Sequence, residues 1–289
     1  SKNSIGLDVG IPARGWHGEG YRGHIFWDEI FLLPFFNKNF PEVSKESLRY
    51  RHKRLNGARE LAKEEGYEGA MYPWQAGDGG EEESQKIHYN PKSGEWDPDL
   101  SRNQRHISIA IFYNFWKYYR ETGDIDFIKK YGGEVMLEIA RFWASISDYD
   151  KKTEKYHIKG VMGPDEFHEK DPKTKEAGLK DNAYTNIMVS WLLKETLTFL
   201  EEMPGNVQNK VGKEEMKRWE KISDNININI KNKIIEQFDG FFDLKEINWN
   251  GYKKRYGDIH RMDRILKAEG KSPDNYKVIK QGDVLMLYY

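Results

Sequence analysis

Asn103–Thr122 reads NQRHISIAIFYNFWKYYRET, and its spacing predicts a helix. Ile107, Ala110, Ile111, Asn114, Phe115 and Tyr118 recur at steps of three and four, the period of one helix face. Gly123-Asp124 breaks the pattern. The period returns over Asp126–Ser147, with Val135, Ile139, Phe142 and Trp143 on one face. It returns again after Asp181, read as a cap, through Ile187, Trp191 and Leu192 to about Met203, where Pro204-Gly205 ends it. Lys213–Gln237 is helical in pattern, though rich in Asn. Upstream, Pro41–Glu65 aligns Leu48, Leu55, Ala58 and Ala62 on one face and stops at Gly66. Phe26, Ile30 and Leu33 predict a buried helix, with Pro34 as kink or stop. Roughly seven helices and no convincing alternating strands make the chain all-α. No internal period supports a helical solenoid.

Composition narrows the functional classes. The 289 residues suffice for one large domain or two small ones. Net charge is −1, so nothing global draws the chain to nucleic acid or an anionic membrane. No apolar run approaches the ~20 residues of a membrane span, and Ser1-Lys2-Asn3 opens no signal peptide. Cysteine is absent, which removes disulfides and thiolate metal sites and fits a reducing, cytoplasmic setting. The 9 Trp, 17 Tyr and 14 Phe often stand beside Gly, Pro and acids instead of inside apolar runs. That placement suits a sugar-binding cleft as well as an aromatic core.

Long loops separate the helices. Tyr67 to about Ser101 holds Met71-Tyr72-Pro73-Trp74-Gln75, then GDGGEEESQ (77–85), then His88 and Trp96. A loop so long in a folded domain is functional or disordered, and its aromatic content argues for function. Gly160–Glu169 reads GVMGPDEFHE, two carboxylates directly after a Gly-Pro break. Residues 239–279 are mostly loop, and Lys280–Tyr289 reads as the first turns of a buried helix without a cap, as in a chain that a further segment completes.

Several chemistries are excluded by motif. Asp165-Glu166-Phe167-His168 has the look of a helicase D-E-x-H, but no phosphate-binding G-x-x-x-x-G-K-[ST] accompanies it. There is no H-E-x-x-H and no G-x-S-x-G, and metal binding by His168 with Asp165 is a minor reading. Carboxylate chemistry remains. Glycosidic cleavage needs an acid for the leaving oxygen and a nucleophile delivered opposite. Glu166, packed with Phe167 and Met162, is the candidate acid, its pKa raised by desolvation.

Five blocks resemble the signatures of glycoside hydrolase family 65: GYRGHIFWDEIFLLPFF (20–36), GYEGAMYPWQ (66–75), GVMGPDEFHE (160–169), DNAYTN (181–186) and KQGDV (280–284). That family contains maltose, trehalose, kojibiose and nigerose phosphorylases and related α-glucoside hydrolases. The resemblance implies an (α/α)6 barrel over residues 1–289, here incomplete, without the family's N-terminal β-sandwich and its C-terminal segment. It implies inversion at the anomeric carbon, with Glu166 as general acid. Trp27 and Asp28 match residues that hold the terminal glucose, Lys280 and Gln281 a further pair in that pocket, and Trp74 and Glu82 a facing loop.

The phosphorylases of the family carry W-D-T-E, whereas this chain has Trp27-Asp28-Glu29, a form that leans to the hydrolases. The phosphate-binding loop, or the base that replaces it, is expected beyond Lys280-Gln281. The leading expectation is inverting hydrolysis of an α-linked glucose disaccharide of kojibiose or trehalose type. The alternatives are phosphorolysis to β-glucose 1-phosphate and a non-catalytic sugar-binding fragment. No cofactor or metal is expected, only inorganic phosphate as co-substrate of a phosphorylase. Expected partners are a small α-glucoside, a companion segment completing the barrel and a second copy in a homodimer, with neither nucleic acid nor membrane.

Overall fold

The computed structural model describes residues 5–14, 20–202 and 207–288. The chain forms two compact units, each assembled from three separated stretches. One takes residues 1–83, 105–156 and 188–226, the other 84–104, 157–187 and 227–289. The described residues are mainly helical, in keeping with the all-α expectation, with three small antiparallel hairpins added. Among them no helix is long and apolar enough to cross a membrane.

In the first unit, α1 (Glu29–Asn39), α2 (Pro41–Lys53) and α3 (Leu55–Glu64) precede α4 (Ile107–Thr122), the short α5 (Ile125–Phe127) and α6 (Gly133–Ile146). The later part of α7 (Ala183–Glu202) and α8 (Lys213–Asn225) also belong to it. α1 lies along α4 and against α2, and α4 packs on α6. The predicted faces are buried: Phe115 and Tyr118 of α4 and Phe142 and Trp143 of α6 are fully buried with Leu33 and Leu48, and so is Phe112, which the spacing does not mark. Each contributes about 1.5–3 kcal/mol in removing its surface from water. Gly123 ends α4 in the left-handed region (φ 68°), and Asp124 caps α5 by accepting from Phe127 N at 3.1 Å. Pro34 neither stops α1 nor lies near its end.

A buried ion pair joins α1 to α2. Glu29 accepts from Arg51 Nε at 3.0 Å and from Ser47 Oγ at 2.9 Å, and Arg51 also donates to the Phe26 carbonyl at 2.7 Å. Glu29 and Arg51 are 1% and 2% exposed. The first-turn acid thus does more than complement a helix dipole.

The second unit is richer in loop. It holds the hairpin β1 (Ile87–Asn90) and β2 (Glu95–Pro98), within the stretch expected to be irregular. The polar 149–159 turn forms β3 (Asp148–Asp150) and β4 (Lys155–His157) where the chain passes between units. Two short helices, α9 (Trp249–Tyr256) and α10 (Met262–Ala268), lie in the segment read as loop, too short for a periodic signal. Their core is Phe167, Ile247, Met262, Ile265, Leu266 and Val278.

Four local expectations are corrected. Pro41–Glu65 is two helices, separated at Arg54, whose side chain bonds to Asp8 and to the Tyr50 and Asp78 carbonyls and lies over the Tyr50 ring. The 213–237 helix ends at Asn225, and β5 (Ile230–Lys231) and β6 (Ile234–Ile235) follow. Asn232 and Lys233 turn between them at φ 52° and 65°, a conformation Asn tolerates well. Asp181 is not the cap of α7: Asn182 Oδ1 accepts from Thr185 N at 3.0 Å, while Asp181 bonds to His157, Asn186 and Asn227. Val284–Tyr288 is one 3₁₀ turn, not a buried helix, with Leu285 70% and Tyr288 89% exposed. The expected helix end at Met203 to Gly205 lies outside the described residues.

Glu29→Ala strands the Arg51 guanidinium in the core without its counter-ion. The expected loss is about 3–5 kcal/mol of stability, read from urea unfolding of the full-length protein. A loss below about 1 kcal/mol would show that the pair is not a structural tie.

Candidate functional site

Gly160–Glu169 is a loop, as its Gly-Pro break predicts, and it is pinned at both ends. Val161 and Leu179 exchange backbone hydrogen bonds, and Met162 N donates to the Asn103 carbonyl at 2.8 Å. At the far end Glu169 N and Lys170 N both donate to Asp274 Oδ1, at 2.8 and 3.0 Å. Between them the chain turns so sharply that Glu166 adopts φ 65°. A non-glycine residue held there costs about 1–3 kcal/mol, so the surrounding structure must enforce it.

Asp165 lies beneath that turn, 1% exposed. Its Oδ2 meets His168 Nδ1 at 2.5 Å, and its Oδ1 accepts from Lys280 N at 2.8 Å. His168 Nε2 faces the Tyr276 carbonyl at 3.0 Å, so both ring nitrogens face acceptors and the imidazole serves them best when doubly protonated. Burial opposes that charge, but the hydrogen bond and charge of Asp165 outweigh it and raise the His168 pKa. Phe238 and Phe241 flank the ring at 4.9 and 5.8 Å. His168 is therefore a loop brace; among the described residues no group of three or more His, Cys, Asp or Glu is placed to hold a metal ion with it and Asp165.

Asp283 is fully buried. It accepts from the Asp165 backbone N and, at 2.6 Å, from Asn182 Nδ2. Burial and the neighbouring charge of Asp165 push its carboxyl up, while the bonds from Asn182 Nδ2 and the Asp165 amide favour the ionised form. Gly163 passes so close that a Cβ there would lie 1.9 Å from Asp283 Oδ2 and 2.4 Å from Asn182 Nδ2. The glycine is required by that approach, not by its backbone angle.

Above this layer stand three of the residues singled out by sequence. Lys280 Nζ meets Glu166 Oε2 at 2.5 Å, and Gln281 Nε2 donates to the Pro164 carbonyl. Both side chains of the Glu166–Lys280 pair are partly exposed, 31% and 42%. This corrects the environment expected for Glu166. Phe167 packs into the Ile247–Val278 core, and the Glu166 carboxylate is partly exposed and faces a cation. Asp165, as expected, shapes the loop.

The other four expected residues lie in the first unit. Trp27 and Trp74 are buried, 8% and 7% exposed, with ring centroids 6.2 Å apart. His106 packs edge-on to Trp27 at 4.7 Å and against Trp74 at 5.0 Å. Asp28 directly follows Trp27 at the start of α1 and makes no side-chain cap. Glu82 accepts from the Trp74 and Gln75 backbone nitrogens at 2.9 and 3.4 Å, so its carboxylate holds the loop that carries Trp74. Sequence reasoning missed His106, Asn182 and Asp283. The last two stand inside the 181–186 and 280–284 blocks, where their burial is a property of the fold.

The glycosyl hydrolase family 65 central catalytic domain model matches residues 2–289. A trehalose 6-phosphate phosphorylase of Lactococcus lactis is 46% identical over 98% of this chain and 36% of its own length. A kojibiose phosphorylase of Halothermothrix orenii is 38% identical over 97% of this chain and 36% of its own. A solved structure provisionally named as a kojibiose phosphorylase from the human microbiome matches with a TM-score of 0.80 at 27% identity, over 97% of this chain and 39% of that one. The chain thus spans little more than a third of the length of these relatives. With the family model covering its whole described length and the expected acid seated on a braced loop, the chain belongs to glycosyl hydrolase family 65, as its central catalytic domain.

Proposed function

We propose that the full-length protein cleaves a glucose-terminated α-disaccharide by inverting phosphorolysis, with its helices forming part of an (α/α)6 barrel. The observation that carries the reading is Glu166, a strained, partly exposed carboxylate beside Lys280 on a loop with a buried brace. Glu166 delivers a proton to the glycosidic oxygen as the bond to the anomeric carbon breaks. Inorganic phosphate attacks that carbon from the opposite face, and the single displacement inverts the centre and yields β-glucose 1-phosphate. Lys280, which already meets Glu166 Oε2 at 2.5 Å, stabilises the carboxylate that remains after the proton has left. By the family resemblance alone, Gln281, Trp27 and Asp28 are assigned to the terminal glucose and Trp74 and Glu82 to a facing loop.

Phosphorolysis is favoured over hydrolysis for two reasons. The relatives compared above are named as phosphorylases. The lean to hydrolysis rested on the Trp27-Asp28-Glu29 form, but Glu29 is committed to Arg51 and Ser47 inside the fold, so its place in the sequence says little about the nucleophile. The identity to a trehalose 6-phosphate phosphorylase makes trehalose 6-phosphate the first substrate to try, ahead of kojibiose and trehalose. Phosphate as co-substrate fits a cytoplasmic enzyme.

Two experiments on the full-length protein test this reading. Incubated with each sugar, it is expected to release β-glucose 1-phosphate only when phosphate is present; free glucose formed at equal rate without phosphate would return the assignment to hydrolysis. Glu166→Gln is expected to lower kcat by about 10²–10⁴-fold with the melting temperature retained. An unchanged kcat rejects Glu166 as the acid.

A further inference from the structure

We propose that Asp283 is a positioning residue for the catalytic loop: from beneath the turn it holds the Asp165 backbone and so sets the direction in which Glu166 presents its carboxyl group. The inference rests on the function proposed above but has a structural readout that does not.

Four contacts carry it. Asp283 is fully buried and accepts from the Asp165 backbone N, the amide immediately before Glu166. Its other oxygen is engaged by Asn182 Nδ2 at 2.6 Å, and Asn182 is itself fixed because its Oδ1 accepts from Thr185 N and Thr185 Oγ1, both at 3.0 Å. Gly163 has no room for a side chain against Asp283 and Asn182, so the turn is clamped from below at Gly163 and at the Asp165 amide, three residues and one residue before Glu166. Asp283 also follows Lys280 and Gln281 by only a few residues, and Lys280 N is bonded to Asp165 Oδ1 at 2.8 Å. One short strand of chain therefore supplies the clamp, the cation that meets Glu166 and the amide that bonds to Pro164 O. The direction of the Asp283 pKa, upward through burial and the charge of Asp165, agrees with a carboxyl kept in an unfavourable place for the sake of geometry.

The test is a donor–acceptor swap. In Asp283→Asn the new amide cannot accept from both Asp165 N and Asn182 Nδ2 without opposing two donors. Adding Asn182→Asp restores the partners of the clamp itself: the residue at 182 accepts from Thr185 and from the 283 amide, and the 283 carbonyl accepts from Asp165 N, at the cost of the long 3.4 Å bond from Asn182 Nδ2 to the Gln237 carbonyl. In the full-length protein, Asp283→Asn is expected to lower kcat by about 100-fold, with KM changed little, and the double variant to recover at least about tenfold of that loss. A single variant with the parent's kcat overturns the proposal. So does a loss of kcat that tracks the melting temperature and is not recovered in the double variant. A crystal structure of Asp283→Asn is the readout independent of activity. Glu166 is expected to leave the left-handed region and separate from Lys280; Glu166 still near φ 65° and paired with Lys280 overturns the proposal even if no sugar is turned over.

Discussion

Asp165 spends both carboxylate oxygens inside the protein, one on His168 and one on Lys280 N, while its own amide is held by Asp283. Everything distinctive about the loop that carries Glu166 follows from that arrangement. Two buried carboxylates and one imidazole are expensive to remove from water, and such clusters add little to net stability even when well bonded. What they provide is a unique position. A single shifted residue leaves a buried charge without its partner, so the turn has one arrangement in which every group is satisfied. The strained backbone of Glu166 persists because its neighbours on both sides are held.

The same segment separates two kinds of side chain that stand next to each other in sequence. Phe167 is spent on the core beneath α9 and α10, His168 on bracing, and Asp165 on the buried network. Glu166 is left partly exposed with Lys280 as its neighbour, while Glu169, at the end of the loop, lies 3.7 Å from Lys267 with its carboxyl pushed up by burial to about 7.

In the first unit the logic is aromatic. Trp27, Trp74 and His106 pack ring against ring, and Glu82 ties the Trp74 backbone. The rings meet edge-on or tilted and leave little of the two tryptophans exposed. The Glu29–Arg51 pair sets where α1 begins and hence where Trp27 and Asp28 stand.

The long helices were legible in the sequence because a buried face must repeat with the helical period: 107–122 and 133–146 bury the very side chains that the spacing marks. The Gly-Pro break told that 160–169 is a loop, and block order told the family. Short elements escaped. α9, α10 and the hairpin at 230–235 are too brief for a period to show, and the apolar run at 284–288 told nothing of burial, which depends on what the fold brings over it. The environment of Glu166 could not be read from adjacent apolar residues, since Phe167 is committed to a separate core and a lysine 114 residues away meets the carboxylate. Most of all, the partnership of Asp165 with Asp283 joins residues 118 apart in the chain. The sequence determined which residue types were at hand and which segments were helical, since these follow from local spacing. Only the tertiary structure decided which carboxylate is buried and which is presented, because desolvation and partner geometry are set by distant segments meeting.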